Sequence, residues 1–234
     1  MLDWQQVHAA VRPLRLIFWG ALIWIIDLTF TTTTNGTGFR FDLLDDTLAT
    51  VMISVAVFRL ARAPVPRPYP AVMAFIKVVA ILAVCDTALR HFVFDRPAIL
   101  AFASESIGLG ELIATTLFCL AMKWFCQAAA LPRPAASWRV TFLLFVIIYA
   151  LPLGVLSILA LISLITDRPP LQVNLGAPGL LLLPLFIVPL VHLFVSTSRM
   201  RRVADAGVTP LDHAAGGFPV VIPNAASEEP RSDE

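Results

Sequence analysis

The chain reads as an all-α, polytopic transmembrane helical bundle of about six spans with both termini on the cytoplasmic side, and three observations predict this. Composition is the first: of 234 residues 58% are hydrophobic and only 14% are charged, against about a quarter charged in a soluble domain. So little polar surface cannot cover a globule in water, and the implied solvent is lipid. The second is the grouping of apolar residues into six runs, each near the roughly 20 residues that cross a hydrocarbon core of about 30 Å. The third is the segregation of Lys and Arg to alternate loops.

The runs lie at about 14–34, 43–61, 71–91, 107–127, 139–165 and 179–198. Residues 1–13, with Trp4 among polar neighbours, form a cytoplasmic or interfacial N-terminus. Arg12 and Arg15 precede the first run as they would in a secretory signal. No small-x-small cleavage site follows, however, and the run continues through Asp27, so it is an uncleaved span. Asn35-Gly36-Thr37-Gly38 breaks it. Asp42, Asp45 and Asp46 then open the second span, where carboxylates complement a helix N-terminus. Prolines from Pro64 to Pro70 separate the second span from the third, and Arg96-Pro97 ends the loop after the third. Residues 97–106 either belong to the fourth span or lie in the interface. Pro132 and Pro134 precede the fifth span, in which Pro152 with Gly154 predicts a kink, and Arg168-Pro169-Pro170 leads into the sixth, kinked at Pro184 and Pro189. Residues 203–234 lack long apolar runs and end in Ser-Glu-Glu-Pro-Arg-Ser-Asp-Glu, the composition of a disordered cytoplasmic tail. The 14–202 membrane domain is helical because an open sheet edge does not survive in lipid and no barrel-strand alternation is present.

Orientation follows from basic residues in short loops. With the N-terminus inside, the inner side holds eleven: Arg12, Arg15, Arg59, Arg62, Arg67, Lys123, Arg133, Arg139, Arg199, Arg201 and Arg202. The outer side holds four: Arg40, Arg90, Arg96 and Arg168. This bias puts both termini inside, and the expected location is a cell (inner) membrane, as a multi-pass protein.

Acidic residues inside spans mark the candidate site, since such charges usually face a bundle interior or a water-filled path. Asp27 lies roughly 20 Å from the inner boundary and Asp86 roughly 23 Å. Asp46 and Glu111, near the outer ends of helices running inward, fall at roughly 24 Å. Four acids from the first four helices are therefore expected at one level, with Arg90 at i+4 from Asp86 as a nearby cation and Arg40 in the loop between the first two spans. Thr29 and Thr31 to Thr34 continue a polar path outward from Asp27. Asp46, Glu105 and Glu111 also have a plain reading, as acids that cap helix N-termini. Lys77 is expected to snorkel toward the inner side. Cys85, Cys119 and Cys126 form no Cys-x-x-Cys pair and read as small packing residues. His192 lacks a second histidine at its depth for haem, with His91 at the outer end of the third span, and reads as a group bonded to backbone freed by Pro184 and Pro189.

Function is narrowed rather than named. A net charge of +1 argues against nucleic acid as a partner, and no motif nominates a catalytic residue or cofactor. A metal, a protein partner and the oligomeric state stay open. The primary expectation is an outward-facing acidic pocket, built from Asp27, Asp46, Asp86, Glu111 and Arg90, that binds or moves a proton, a cation or a cationic solute. The alternatives are a membrane-embedded enzyme acting at the outer leaflet and a structural subunit of a membrane complex. The fifth and sixth spans read as apolar packing.

Overall fold

In the computed structural model, which describes residues 2, 4–25, 29–34, 37–42, 46–92, 97–166 and 176–205, the first apolar run is a helix from Trp4 to Ile25 (α1). Val7, Ala10, Val11, Leu14 and Ile17 recur at three- and four-residue spacing and all are buried, giving one apolar face that starts in the segment expected at the interface and continues into the first span. Helix α1 stops at Ile25, well short of the predicted end of the first span. Thr29–Thr34 (β1) instead pairs antiparallel with Thr37–Asp42 (β2), Thr34 standing opposite Thr37. Two properties of the segment account for the change: threonine is a poor helix former that fits a pleated ribbon, and Asn-Gly is the strongest two-residue hairpin signal. The helical class therefore carries one short hairpin in addition.

Helix α2 runs from Asp46 to Leu60, and its last carbonyl accepts a 2.7 Å hydrogen bond from the Tyr69 hydroxyl, which satisfies one of the helix-end acceptors. Helix α3 covers Tyr69–Phe92. Helix α4 covers Ala98–Ala128, so residues 98–106 belong to it rather than to an interfacial piece, and Pro97 marks the start because proline lacks the N–H that an interior position needs. Its C-terminus closes with Leu131 N–H donating to Cys126 O at 2.8 Å and Ala130 N–H to Gln127 O at 3.0 Å, with Ala130 at φ 54°. This is the Schellman arrangement with alanine where glycine is usual.

Pro132–Phe145 (α5), a π-helical turn at Val146–Ala150 and Leu151–Ile165 (α6) form one continuous rod. The π turn is the form that the expected Pro152 kink takes: proline removes a donor and crowds the carbonyl four residues back, and a wider turn relieves both. Helix α7 runs from Gly176 to Asp205 and carries Pro184 and Pro189 without a break.

Counting α5, the π turn and α6 as one, the described residues hold six helical rods that pack in chain order, α1 on α2, α2 on α3, α3 on α4 and α4 on α5–α6. Helix α7 then packs on α5 and returns to α1, where the Phe18 and Phe194 ring centroids lie 4.9 Å apart. The result is a closed ring. The ends that carry Val7, Leu60, Tyr69, Met122, Phe125, Trp138 and Met200 are packed solid, and we call this the basic end for its arginines. The α1–α2 seam is tight: a Cβ on Gly20 would stand 2.9 Å from Ala49 O and 2.8 Å from Ile53 Cγ1, so a small residue allows this backbone approach.

Three helices among the described residues are long and apolar enough to cross a membrane, Tyr69–Leu89, Ala98–Ala128 and Pro132–Ile165. In the last only 11% of the most apolar stretch is buried within the protein, and Ile147, Leu151 and Ile165 are more than 60% exposed. Apolar surface on this scale fits a membrane-embedded protein and not one covered by water.

Candidate functional site: an acidic cavity inside the helix ring

Within the ring, toward the end opposite the packed core, lies a cavity of about 480 Å³. Every rod contributes to its wall: Ile17, Ala21 and Trp24 from α1; Thr50 and Ser54 from α2; Ala83 and Thr87 from α3; Ser104, Gly108 and Phe118 from α4; Phe145, Tyr149 and Ser157 from the fifth rod; and Leu190 and Leu193 from α7. Four carboxylic residues line the same space, Asp46, Asp86, Glu105 and Glu111. Three of the four predicted acids are thus brought together. The fourth, Asp27, lies outside the described residues, as do the side chains of Arg90 and Arg40.

Cross-helix bonds set the heights of these acids. Ser104 Oγ donates to Asp86 Oδ2 at 3.1 Å, putting Asp86 level with Ser104, and Ser54 Oγ donates to Ala80 O at 3.2 Å, putting Ala80 level with Ser54. Asp86 is six residues beyond Ala80 and Asp46 eight residues before Ser54, distances of roughly 9 and 12 Å along antiparallel helices. Those two acids therefore share a level. Glu111 lies seven residues past Ser104 toward the basic end, roughly 10 Å deeper. The single level expected from sequence is corrected: two acids stand at the upper level and one stands well below them. The difference arises in α4, which begins nine residues before the predicted start of the fourth span.

The same shift removes the capping explanation for two acids. Helix α4 begins at Ala98 and has no acid in its first turn, so Glu105 and Glu111 sit two and nearly four turns in, beyond the reach of the N-terminal partial charge. Asp46 retains that explanation as the first residue of α2. Asp86 is 9% exposed and buried carboxylates are costly unless hydrogen-bonded or paired; Ser104 supplies one such bond.

No three His, Cys, Asp or Glu side chains among the described residues are grouped closely enough to hold one metal ion. The carboxylates are spread over the cavity wall. The same wall carries Trp24, Phe118, Phe145 and Tyr149, and aromatic rings attract cations.

A second polar cluster, absent from the sequence reading, ties the fifth rod to α7 on the basic side of the cavity. Thr141 Oγ1 lies 2.9 Å from His192 Nδ1 and 2.8 Å from Ser196 Oγ, while Ser137 Oγ lies 2.8 Å from Ser196 Oγ and accepts from Arg199 Nη1 at 3.2 Å. His192 is therefore held by a hydroxyl of another helix, and the expectation that it bonds to proline-freed backbone is replaced. The signal in sequence was the i, i+4 spacing of Ser137 with Thr141 and of His192 with Ser196, which puts each pair on one helical face. Lys77 Nζ lies 5.9 Å from the Phe58 ring centroid. Cys119 and Cys126 are fully buried among core side chains and Cys85 is exposed.

Comparison of the chain with protein-family models, curated proteins and solved structures gave no match.

Proposed function

We propose that this is a six-span inner-membrane protein with both termini in the cytoplasm, which binds a small organic cation in the cavity of its helix ring, for transport or sensing. The observation that carries the reading is the collection of Asp46, Asp86, Glu105 and Glu111 around one space of about 480 Å³, together with Trp24, Phe118, Phe145 and Tyr149. That volume is in the range of small-molecule sites. Dispersed carboxylates suit a cation whose charge is spread over several groups or sheathed in carbon, and the aromatic faces suit its apolar part. The two-level arrangement favours a solute that moves from Asp46 and Asp86 toward Glu111, exchanging one counter-charge for the next. The orientation rests on the eleven-to-four distribution of basic residues across alternate loops.

Two experiments test this. Purified protein in detergent is titrated with tetraethylammonium and, separately, with spermidine, with thermal melting as the readout, since a ligand that binds only the folded state raises the melting temperature. A saturable rise with either cation, absent in Asp86→Asn/Glu111→Gln, is expected. No rise with either, or an equal rise in the double variant, refutes the site. For orientation, an impermeant maleimide on intact cells is expected to label Thr37→Cys and to miss Pro64→Cys; the reverse pattern overturns it.

A further inference from the structure

At the opposite end of α2 lies a second cavity, of about 760 Å³, lined by Gln5, His8 and Arg12 of α1 and by Arg59, Arg62 and Pro64 at the end of α2. Among the described residues no carboxylate lies within 4.0 Å of Arg12, Arg59 or Arg62; the ion pairs at this end are His8 Nε2 with Asp205 Oδ1 at 3.7 Å and Arg201 Nε with Asp205 Oδ2 at 3.2 Å. Asp205 is thus engaged by His8 and Arg201. The floor between the arginines is apolar, with Ala10 and Leu60 buried. Orienting the chain requires only that arginines lie on this side. It does not require three of them, from α1, α2 and the turn after α2, to line one concavity.

An apolar track leads away from that concavity. Leu48, Val51, Val55 and Phe58 are all exposed and recur at intervals of three, four and three residues, so they form one stripe down α2. The stripe ends where Arg59 and Arg62 begin, and Lys77 stands at the same level against the Phe58 ring. Guanidinium groups bind phosphate oxygens through paired donors in a fixed fork, and basic pockets between membrane helices on the cytoplasmic side are suited to anionic headgroups.

We propose that this cavity is a phosphate site whose occupant is the headgroup of an anionic phospholipid, its phosphate held by Arg12, Arg59 and Arg62 and its acyl chain laid along the Leu48–Phe58 stripe. The site is independent of the acidic cavity, and either can fail alone.

The test uses the full chain in a non-ionic detergent, with native mass spectrometry to count retained lipid and thermal melting as a second readout. The additions are phosphatidylglycerol, phosphatidylcholine and inorganic phosphate. Phosphatidylglycerol is expected to be retained at one copy and to raise the melting temperature, with phosphatidylcholine and inorganic phosphate doing neither. Each arginine contributes about five-fold in affinity, so Arg62→Gln is expected to weaken retention about five-fold and Arg12→Gln/Arg59→Gln/Arg62→Gln about 100-fold. Arg133→Gln/Arg139→Gln, at the same end but outside the cavity, should leave it unchanged. The lipid assignment is overturned if inorganic phosphate stabilises as well as phosphatidylglycerol, which makes this a soluble-anion site. It is overturned equally if the Arg133/Arg139 variant loses as much retention as the cavity variant, since the attraction is then a general surface effect. Should the triple variant fail to fold, Arg62→Gln alone decides between five-fold loss and none.

Discussion

Glu111→Gln separates a binding carboxylate from a structural one, because the two roles predict opposite signs for the empty protein. Glu111 is 13 residues into α4, roughly 20 Å from its N-terminus, so no helix-end charge stabilises it. Asp86 lies roughly 10 Å above it in height alone, so at an effective dielectric of about 20 two negative charges at that separation or more repel by at most about 1.7 kcal/mol. Glutamine keeps the shape and removes the repulsion. The empty variant is therefore expected to be more stable by up to about 1.7 kcal/mol, a rise of up to about 3–7 °C in melting temperature for a chain of this size. A bound cation about 4 Å from the carboxylate gains about 4 kcal/mol at the same dielectric before desolvation. If desolvation halves that gain, losing it weakens binding about 30-fold. The assay is a pair of melting curves for wild type and variant, with and without tetraethylammonium or spermidine. A variant that melts lower than wild type when empty, and whose cation-induced rise is undiminished, refutes the reasoning and makes Glu111 a structural group.

Other substitutions test the frame around the cavity. Ala130→Gly relieves an alanine held at φ 54° and should stabilise by about 0.5–1 kcal/mol, read as a higher melting temperature. Gly20→Leu drives a side chain into Ala49 O and Ile53 and should destabilise by about 1–3 kcal/mol, with increased proteolysis between α1 and α2. Thr141→Val strips His192 and Ser196 of their shared hydroxyl partner and should cost about 1–3 kcal/mol in chemical denaturation, whereas Thr141→Ser should cost much less. Trp138→Ala empties a fully buried site against Phe118 and should cost about 3–5 kcal/mol.

Helical character was legible because apolar runs and their breakers are local features: Pro97 and Pro132 stand where α4 and α5 begin. The hairpin was legible in principle from Asn35-Gly36 between threonine-rich flanks, but the hydropathy of 14–34 outweighed that signal. The acids were found because a carboxylate in an apolar run stands out at any register. The wall they share was harder to see. Phe145, Tyr149, Leu190 and Leu193 face the cavity while Ile147, Leu151 and Val191 face outward. In a helix surrounded by lipid both faces are apolar, so periodicity does not distinguish them. For the same reason the fifth and sixth spans read as packing alone. Thr141 and His192 are 51 residues apart, and no single-chain pattern announces a partner at that separation.

The contact of α7 with α1 also bears on the order of assembly. Its residues are the most distant in the chain of any packed helix pair, so it forms only after the last rod has been made. Until then α1 through the fifth rod are an open arc, and the space that becomes the cavity is unbounded on one side. Closing the arc traps that space as an interior. A chain ending before Gly176 would keep all four carboxylates of the wall and still have no enclosure, its acids left at an open face.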